Sequence, residues 1–501
     1  MPDKKPKLFI HGCYIGTTGF NNHTRDFFRE ISKSYKTKVR NFTVGKHWKG
    51  LEDEPFNKED YLLPLDKILL DTQTYFGENR SLHDYPIYKN HTNVFNHDLN
   101  IVLAEVNHHF FYQNYEGPKI GYTVWETTRY PDYFFDKLKE YDQLWVPSEW
   151  QKQCNIEQGM SEDMIKVIPE AVDSKTFYPN SEANLPEYKD NRFKFILFGR
   201  WDYRKSTKEI IEAFLEEFRE DEPIDLVLSI DNRFAKDGLE NTEKRLEHYG
   251  ISDPRLKVKH FPSREDYIQY LQKGHVFLSC ARAEGWNLPL IEAMACGTPS
   301  IYSNCSAQLQ FAKGKGLPVK ITGKKPAIMG EYSTYSQSDM TGEFYTPDYE
   351  DLKIVMRDAY KNYDKHKKQA LKESKEIRDK FTWERAAELA SIEIDNLYSS
   401  IPNNRVEISF NEGPKVQTYG SKNQSYFVEF IDARDNKVLH SSTIKNNMWT
   451  VCNKQYYIPW IIKINGKIEH KFDLTKKLVK ITFDSKSVGD TLAWAPQILE
   501  F

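Results

Sequence analysis

The stretch ARAEGWNLPLIEAMACGTPSIYS, residues 281–303, decides how the chain is read. It follows the apolar run HVFLSC (275–280), a buried strand by composition, and holds Glu284 and Glu292 with seven residues between them. Pro289 suits the first turn of a helix, where a missing N–H costs nothing, so Glu292 falls in that helix's opening turns. Gly285 lets the backbone pass close to a ligand, and the N–H groups of Trp286, Asn287 and Leu288 face an anion or a hydroxyl. A carboxylate at a strand end and another on the next helix can hydrogen-bond two parts of one ligand. For either glutamate alone, a solvated helix start with acidic residues favoured by the dipole is the plain alternative.

Outward from this stretch, the same strand–helix alternation recurs. FKFILFG (193–199) is an apolar strand, and Ile210, Ile211, Phe214, Leu215 and Phe218 then share one helical face. DLVLSI (225–230), RLKVKHF (255–261) and PSIYS (299–303) complete a second half. The first half reads KLFIH (7–11), NIVLAEV (100–106), KIGYTVW (119–125), QLWVP (143–147) and KVIPEAV (166–172). Apolar runs without alternation suit parallel strands buried on both faces. Residues 174–192 read as a linker. The pattern predicts two doubly wound α/β domains with a ligand cleft between them, at strand C-termini.

Two loops carry further signals. In FGRWDYRKS (198–206), Gly199 ends a strand and Arg200, Arg204 and Lys205 crowd the loop before a helix, the charge a diphosphate needs. The loop after the first strand holds Gly12, Gly16 and Gly19, which is not the GxGxxG spacing, so a nicotinamide cofactor is disfavoured.

Beyond residue 347 the chain is lysine- and glutamate-rich and helical to about residue 400. Residues 405–483 then alternate in short β-like runs, with Asn465-Gly466 as a hairpin signal. The 501 residues suit about three domains. A net charge of -3 gives no general pull toward nucleic acid. The six cysteines are scattered and no run reaches the ~20 apolar residues of a spanning helix, which suits a cytoplasmic protein.

The chain from about 7 to 397 resembles the retaining family-four glycosyltransferases of GT-B fold. EGWNLPLIEAMACGTP resembles that family's Glu-x-seven-Glu motif, and FGRWDYRKS its phosphate-binding loop. GYTVWETTRYPDYF (121–134) and LWVPSEWQKQ (144–153) look like the first domain of a subgroup. The resemblance implies a Rossmann-like acceptor-side domain over 1–175, a nucleotide-sugar domain over 176–380, and a helix over 381–400 crossing back. It also implies that Arg200 and Lys205 hold the donor diphosphate, Glu292 the ribose, and Glu284 the transferred sugar. Gly285 to Leu288 would offer N–H groups, and the glycine loop with Gly16 and Gly19 would border the donor. The donor would be a UDP- or GDP-linked sugar, with no metal or other cofactor. Where many members carry a histidine, this chain has Trp125 and Glu126, the acceptor-side candidates together with His109. His108 and His109 alternate faces on a strand, which disfavours a shared metal.

FNEGPKVQTYG, YFVEFIDARDNKVLHSSTIKNNMWT and ITFDSKSVGDTLAWAP look like the opening of the autotransporter strand-loop-strand O-heptosyltransferase family. That implies a β-rich domain over 405–483, the start of a second transferase domain over 484–501, and covalent continuation into it. The expected function is sugar transfer, with retention, to a glycan or glycoprotein, with peripheral membrane contact allowed. A catalytically silent glycan-binding or scaffolding module is the rival, and an epimerase or glycogen-type glucosyltransferase the enzymatic runner-up.

Overall fold

The computed structural model describes residues 5–13, 19–41, 68–69, 98–106, 109, 118–181, 191–232, 235, 237–261, 263–327, 342–400, 405–410, 413–420, 425–452 and 458–472. The first half runs β1 (Leu8–Gly12), α1 (Gly19–Ser34), β2 (Thr37–Asn41), β3 (Ile68–Leu69), β4 (Leu99–Leu103) and β5 (Lys119–Tyr122). It continues through α2 (Asp132–Leu138), β6 (Gln143–Val146), α3 (Glu149–Glu157) and β7 (Ile165–Val167). These strands make one seven-stranded sheet in the order β3-β2-β1-β4-β5-β6-β7, each neighbouring pair parallel. β1 and β4 are buried along their whole length, as strands covered on both faces must be.

The second half opens with β8 (Phe193–Phe198), α4 (Thr207–Glu217), β9 (Ile224–Ser229), α5 (Thr242–His248), β10 (Leu256–Val258) and α6 (Arg264–Lys273). It goes on to β11 (Val276–Ser279), α7 (Leu288–Ala295), β12 (Ser300–Ser303), α8 (Leu309–Ala312) and β13 (Leu317–Val319). The six strands form a parallel sheet in the order β10-β9-β8-β11-β12-β13. Along β8, Phe195 and Leu197 enter the core under α4, with Ile210, Ile211 and Phe214, while Ile196 and Phe198 enter the one under α7, with Leu290 and Ile291. Alternate residues thus feed two cores, which is why FKFILF is apolar throughout.

A two-stranded antiparallel pair, β14 (Ile321–Pro326) with β15 (Glu343–Pro347), follows, and then α9 (Tyr349–Lys361), α10 (Tyr363–Lys380) and α11 (Trp383–Ser400). α11 lies against the first half: the Tyr35 hydroxyl donates to Asp395 Oδ1 at 2.9 Å, and Trp383 packs on His23 at 5.3 Å between ring centroids. The doubly wound pair is the architecture the sequence predicts. Some expected strands are shorter: KVIPEAV supplies only Ile165–Val167 with its preceding residue, and RLKVKHF only Leu256–Val258.

From residue 396 a separate β-rich unit begins. β16 (Arg405–Ser409), β17 (Lys415–Tyr419) and β20 (Trp449–Val451) form one antiparallel sheet. β19 (Lys437–Lys445), β18 (Ser425–Asp432), β21 (Trp460–Ile464) and β22 (Lys467–Phe472) form another, in that spatial order. Asn465 and Gly466 join β21 to β22 with φ of 52° and 78°, the paired positive values of a tight hairpin turn. The stretch 484–501 lies outside the described residues. No helix among the described residues is long and apolar enough to cross a membrane.

Truncating Phe214, which is fully buried between β8 and α4, removes a large apolar side chain from this core. Phe214→Ala is expected to cost about 3–5 kcal/mol, read as a lowered urea midpoint for the second half.

Candidate active site

The C-terminal ends of β8 and β11 bring the two singled-out loops together. Arg204 is the centre of the arrangement. Its guanidinium donates to the Ala283 carbonyl at 2.7 Å, lies 3.0 Å from Glu284 Oε2, and reaches Glu126 of the first half at 2.9 Å. Lys205 Nζ donates to the other Glu284 oxygen at 2.5 Å. The Glu284 backbone N–H donates to Ser306 Oγ at 3.0 Å. Burial works against the Glu284 charge, but Lys205 and Arg204 outweigh it and hold the carboxyl below its usual range. Burial likewise opposes the Arg204 charge, and Glu126 and Glu284 more than offset it. Lys205 is pulled down by burial despite Glu284.

Three non-glycine residues in the left-handed region surround Glu284: Ser206 at the start of α4, Asn287 at the start of α7, and Ser306, its hydrogen-bond partner. The other such residues among those described are asparagines. Strain of this kind persists where surrounding contacts over-determine the backbone. Asn287 is held by two side-chain bonds, from Nδ2 to Ser279 Oγ and to Gln308 Oε1, both 2.8 Å, and caps α7 through Leu290 N–H. The backbone N–H groups of Trp286, Asn287 and Leu288 make no hydrogen bond among the described residues. A helix start with free donors is an anion site by its own electrostatics.

Glu292 lies one turn into α7 and is buried, with the Tyr267 hydroxyl donating to its Oε2 at 2.5 Å. Burial pushes its carboxyl up to about 7, against the pull of Arg264 and the Tyr267 bond. Asp26 of α1, in the first half, also acts on it. Arg200 is partly exposed and bonded through its carbonyl to Thr207 Oγ1 at 3.2 Å. Its charge faces Glu105, just beyond β4, which burial and Glu126 push up to about 7. Gly199 has a φ of 141°, where a side chain would be strained. Gly19 opens α1 with its α-carbon hydrogen toward Leu288 at the start of α7, a built Cβ meeting Cδ1 at 3.5 Å.

Several of the predicted residues are held by contacts of their own. Gly285 faces the other half of the protein: a Cβ there would lie 2.3 Å from Val124 Cγ1 and 3.0 Å from the Trp125 carbonyl. Trp286 supplies backbone only, since its ring is in the core against Phe311. The Trp125 backbone borders Gly285, but its side chain turns back into the first half. Its Nε1 donates to Thr127 Oγ1 and the Arg129 carbonyl, and its ring stacks on Tyr130, because an indole needs both an apolar bed and an acceptor. His109 is buried, with Nδ1 2.8 Å from the Tyr141 hydroxyl and Nε2 3.1 Å from the Ala104 carbonyl, and burial lowers it to about 4. Only Glu126 of the acceptor-side candidates meets the loop cations. Gly16 and His108 lie outside the described residues. Sequence reasoning missed Tyr267, Glu105 and the bridging role of Arg204. Among the described residues no group of three or more His, Cys, Asp or Glu side chains is placed to hold a metal.

Gly285→Ala is expected to cost about 1–3 kcal/mol, read as a lowered melting temperature, because the new methyl would overlap the Val124 Cγ1 methyl and crowd the Trp125 carbonyl. Glu292 gives a pH test. Its carboxyl titrates higher folded than unfolded, so the folded state binds more protons and stability falls as pH rises from about 4.5 through about 7. Glu292→Gln removes that fall. The variant is expected to gain about 1–3 kcal/mol on wild type at pH 8 and nothing at pH 4, in urea titrations.

Residues 181–315 match the family model of glycosyl transferases group 1. A probable sucrose-phosphate synthase of Thermosipho melanesiensis is 24% identical over 255 residues, covering 47% of this chain and 48% of that protein. A putative glycosyltransferase of a Sulfolobus islandicus filamentous virus is 36% identical over 64 residues, covering 13% of this chain and 20% of that protein. The chain thus spans about half or less of the length of these relatives. Among solved structures, sucrose-phosphate synthase from Thermosynechococcus elongatus aligns with a TM-score of 0.56 at 15% identity, over 79% of this chain and 100% of that one. Anabaena HepE in complex with UDP-glucose aligns with a TM-score of 0.56 at 15% identity, again over 79% and 100%. The fold is GT-B, and its second half carries a match to glycosyl transferases group 1.

Proposed function

We propose that the chain is a glycosyltransferase that moves a sugar from a nucleotide-sugar to a glycan or glycoprotein hydroxyl, with retention at the anomeric carbon. The observation that carries this reading is the Arg204–Glu284–Lys205 cluster at the mouth of α7, with unpaired N–H groups beside it. The leaving group is a diphosphate, so its growing negative charge is the charge to stabilise. Arg200, Lys205 and the α7 N–H groups supply opposite charge there. Glu284, held ionised by its two cations, accepts hydrogen bonds from sugar hydroxyls and favours positive charge at the anomeric carbon. It is not the proton donor. On a retaining path the acceptor hydroxyl attacks from the leaving-group face, and a diphosphate oxygen takes its proton.

UDP-linked donors head the tests, since the same fold in HepE is solved with UDP-glucose. Donor recognition extends to Glu292 for the ribose, held in place by Tyr267. Glu126 lies on the acceptor side of the cleft. The resemblance of the β-rich unit to the heptosyltransferase opening supports a role beside a second transferase in surface-glycan assembly.

Nucleotide release from UDP-, GDP-, ADP- and CMP-sugars is the test. Wild type is expected to hydrolyse one donor slowly, and Glu284→Ala and Arg200→Ala to lose 100-fold or more of that rate. If no donor is consumed with a broad acceptor mixture, and none raises the melting temperature, the glycan-binding module takes the place of the enzyme.

A further inference from the structure

The charged side chains around Glu284 form a row of alternating sign that crosses from one half of the chain to the other. Lys205 Nζ donates to Glu284 Oε1 at 2.5 Å, and Arg204 Nη1 lies 3.0 Å from Oε2. The other arm of the same fork, Nη2, lies 2.9 Å from Glu126 Oε1, on the loop after β5. Each Glu284 oxygen thus has its own cation, and Arg204 has a carboxylate at either end. The two cations are held differently. Among the described residues Lys205 Nζ bonds only to Glu284, whereas the Arg204 fork also serves the Ala283 carbonyl at 2.7 Å and Glu126. The Arg204 main chain is fixed too: its N–H donates to Asp202 Oδ1 at 2.8 Å, and its carbonyl accepts the Arg282 N–H at 2.7 Å. Arg282 is laid over the Tyr203 ring, 4.1 Å from the centroid, with Nε donating to the Tyr203 carbonyl at 3.0 Å.

We propose that Glu126 is a positioning residue: through Arg204 it keeps Glu284 in place on the transferred sugar while Lys205 turns to the donor diphosphate. This rests on the reading of Glu284 as the sugar contact and Lys205 as a diphosphate ligand. A lysine that reaches the diphosphate gives up one anion for another, and the carboxylate it leaves is 3% exposed, where solvent does not make up a lost counter-charge. Arg204 is the cation that stays, because a planar fork tied at both arms cannot follow. Glu126 supplies the tie on the Nη2 arm, and it comes from the first half. The same loop borders Glu284's neighbour, since a Cβ on Gly285 would lie 2.3 Å from Val124 Cγ1 and 3.0 Å from the Trp125 carbonyl. The carboxylate of one half is thus aligned by a carboxylate of the other, with one guanidinium between them.

The test is donor hydrolysis with no acceptor present, using whichever UDP-, GDP-, ADP- or CMP-sugar the wild type consumes. Glu126→Gln keeps the shape and drops the charge, and its side chain is more than a third exposed, so the variant folds. It is expected to lose about tenfold in kcat, with KM and the affinity for the bare nucleotide within about twofold of wild type. In an Arg204→Met background the same change is expected to add less than about twofold, because the intermediary is gone. If Arg204→Met does not fold, Glu284→Gln serves as the background, with the same expectation. A Glu126→Gln rate equal to wild type overturns the inference, and a loss in Glu284→Ala then leaves the transferase reading standing. A loss seen only with acceptor present makes Glu126 an acceptor contact and overturns it. So does a loss that returns in full in the Arg204→Met or Glu284→Gln background. If wild type consumes no donor, the inference falls together with the transferase reading.

Discussion

One buried guanidinium ties the second half of the chain to the first. Arg204 touches the Ala283 carbonyl and Glu284 in its own half and Glu126 in the other, and it is 6% exposed. A cation so enclosed is tolerable only because two carboxylates and a carbonyl replace its water. The dependence runs both ways, since removing Arg204 would leave Glu284 with a single cation and Glu126 with none of this cluster. Lysine could not substitute, because a planar fork is needed to serve partners lying in different directions. The left-handed backbone at Ser206, Asn287 and Ser306 lies in the loops around this cluster, and Ser306 accepts the Glu284 N–H.

Much of this was legible in the residues. Strands buried on both faces show as apolar runs, so FKFILF and HVFLSC announce themselves. β2 does not, because TKVRN mixes Lys38 and Arg40 with a single valine, and a strand toward the sheet margin need not be apolar throughout. β3 contributes two residues, too few for any periodicity. The helix start at Leu288–Pro289 was readable from proline placement and glutamate spacing, which are local facts.

Side-chain direction is not local, and the misassignments lie there. Trp125 and His109 sit near strand ends, where functional groups collect, yet both turn inward to satisfy their own polar atoms. Gly285 answers to a backbone more than 150 residues earlier in the chain, a constraint that no nearby residue records. Tyr267 belongs to a helix whose other residues look like ordinary surface and core alternation, and only the approach of α6 to α7 gives its hydroxyl a carboxylate to serve.

The chain passes between the halves twice, once outward near Val172 and once back near Phe381, and the hydrogen bond from the Val172 N–H to the Phe381 carbonyl holds the two passages side by side. A single strand would let the halves twist as well as bend. Two strands laid edge to edge act as a strip, which flexes easily about the line across it and resists torsion. Any bending between the halves is therefore expected to follow one axis, which keeps Gly285 in register with Val124.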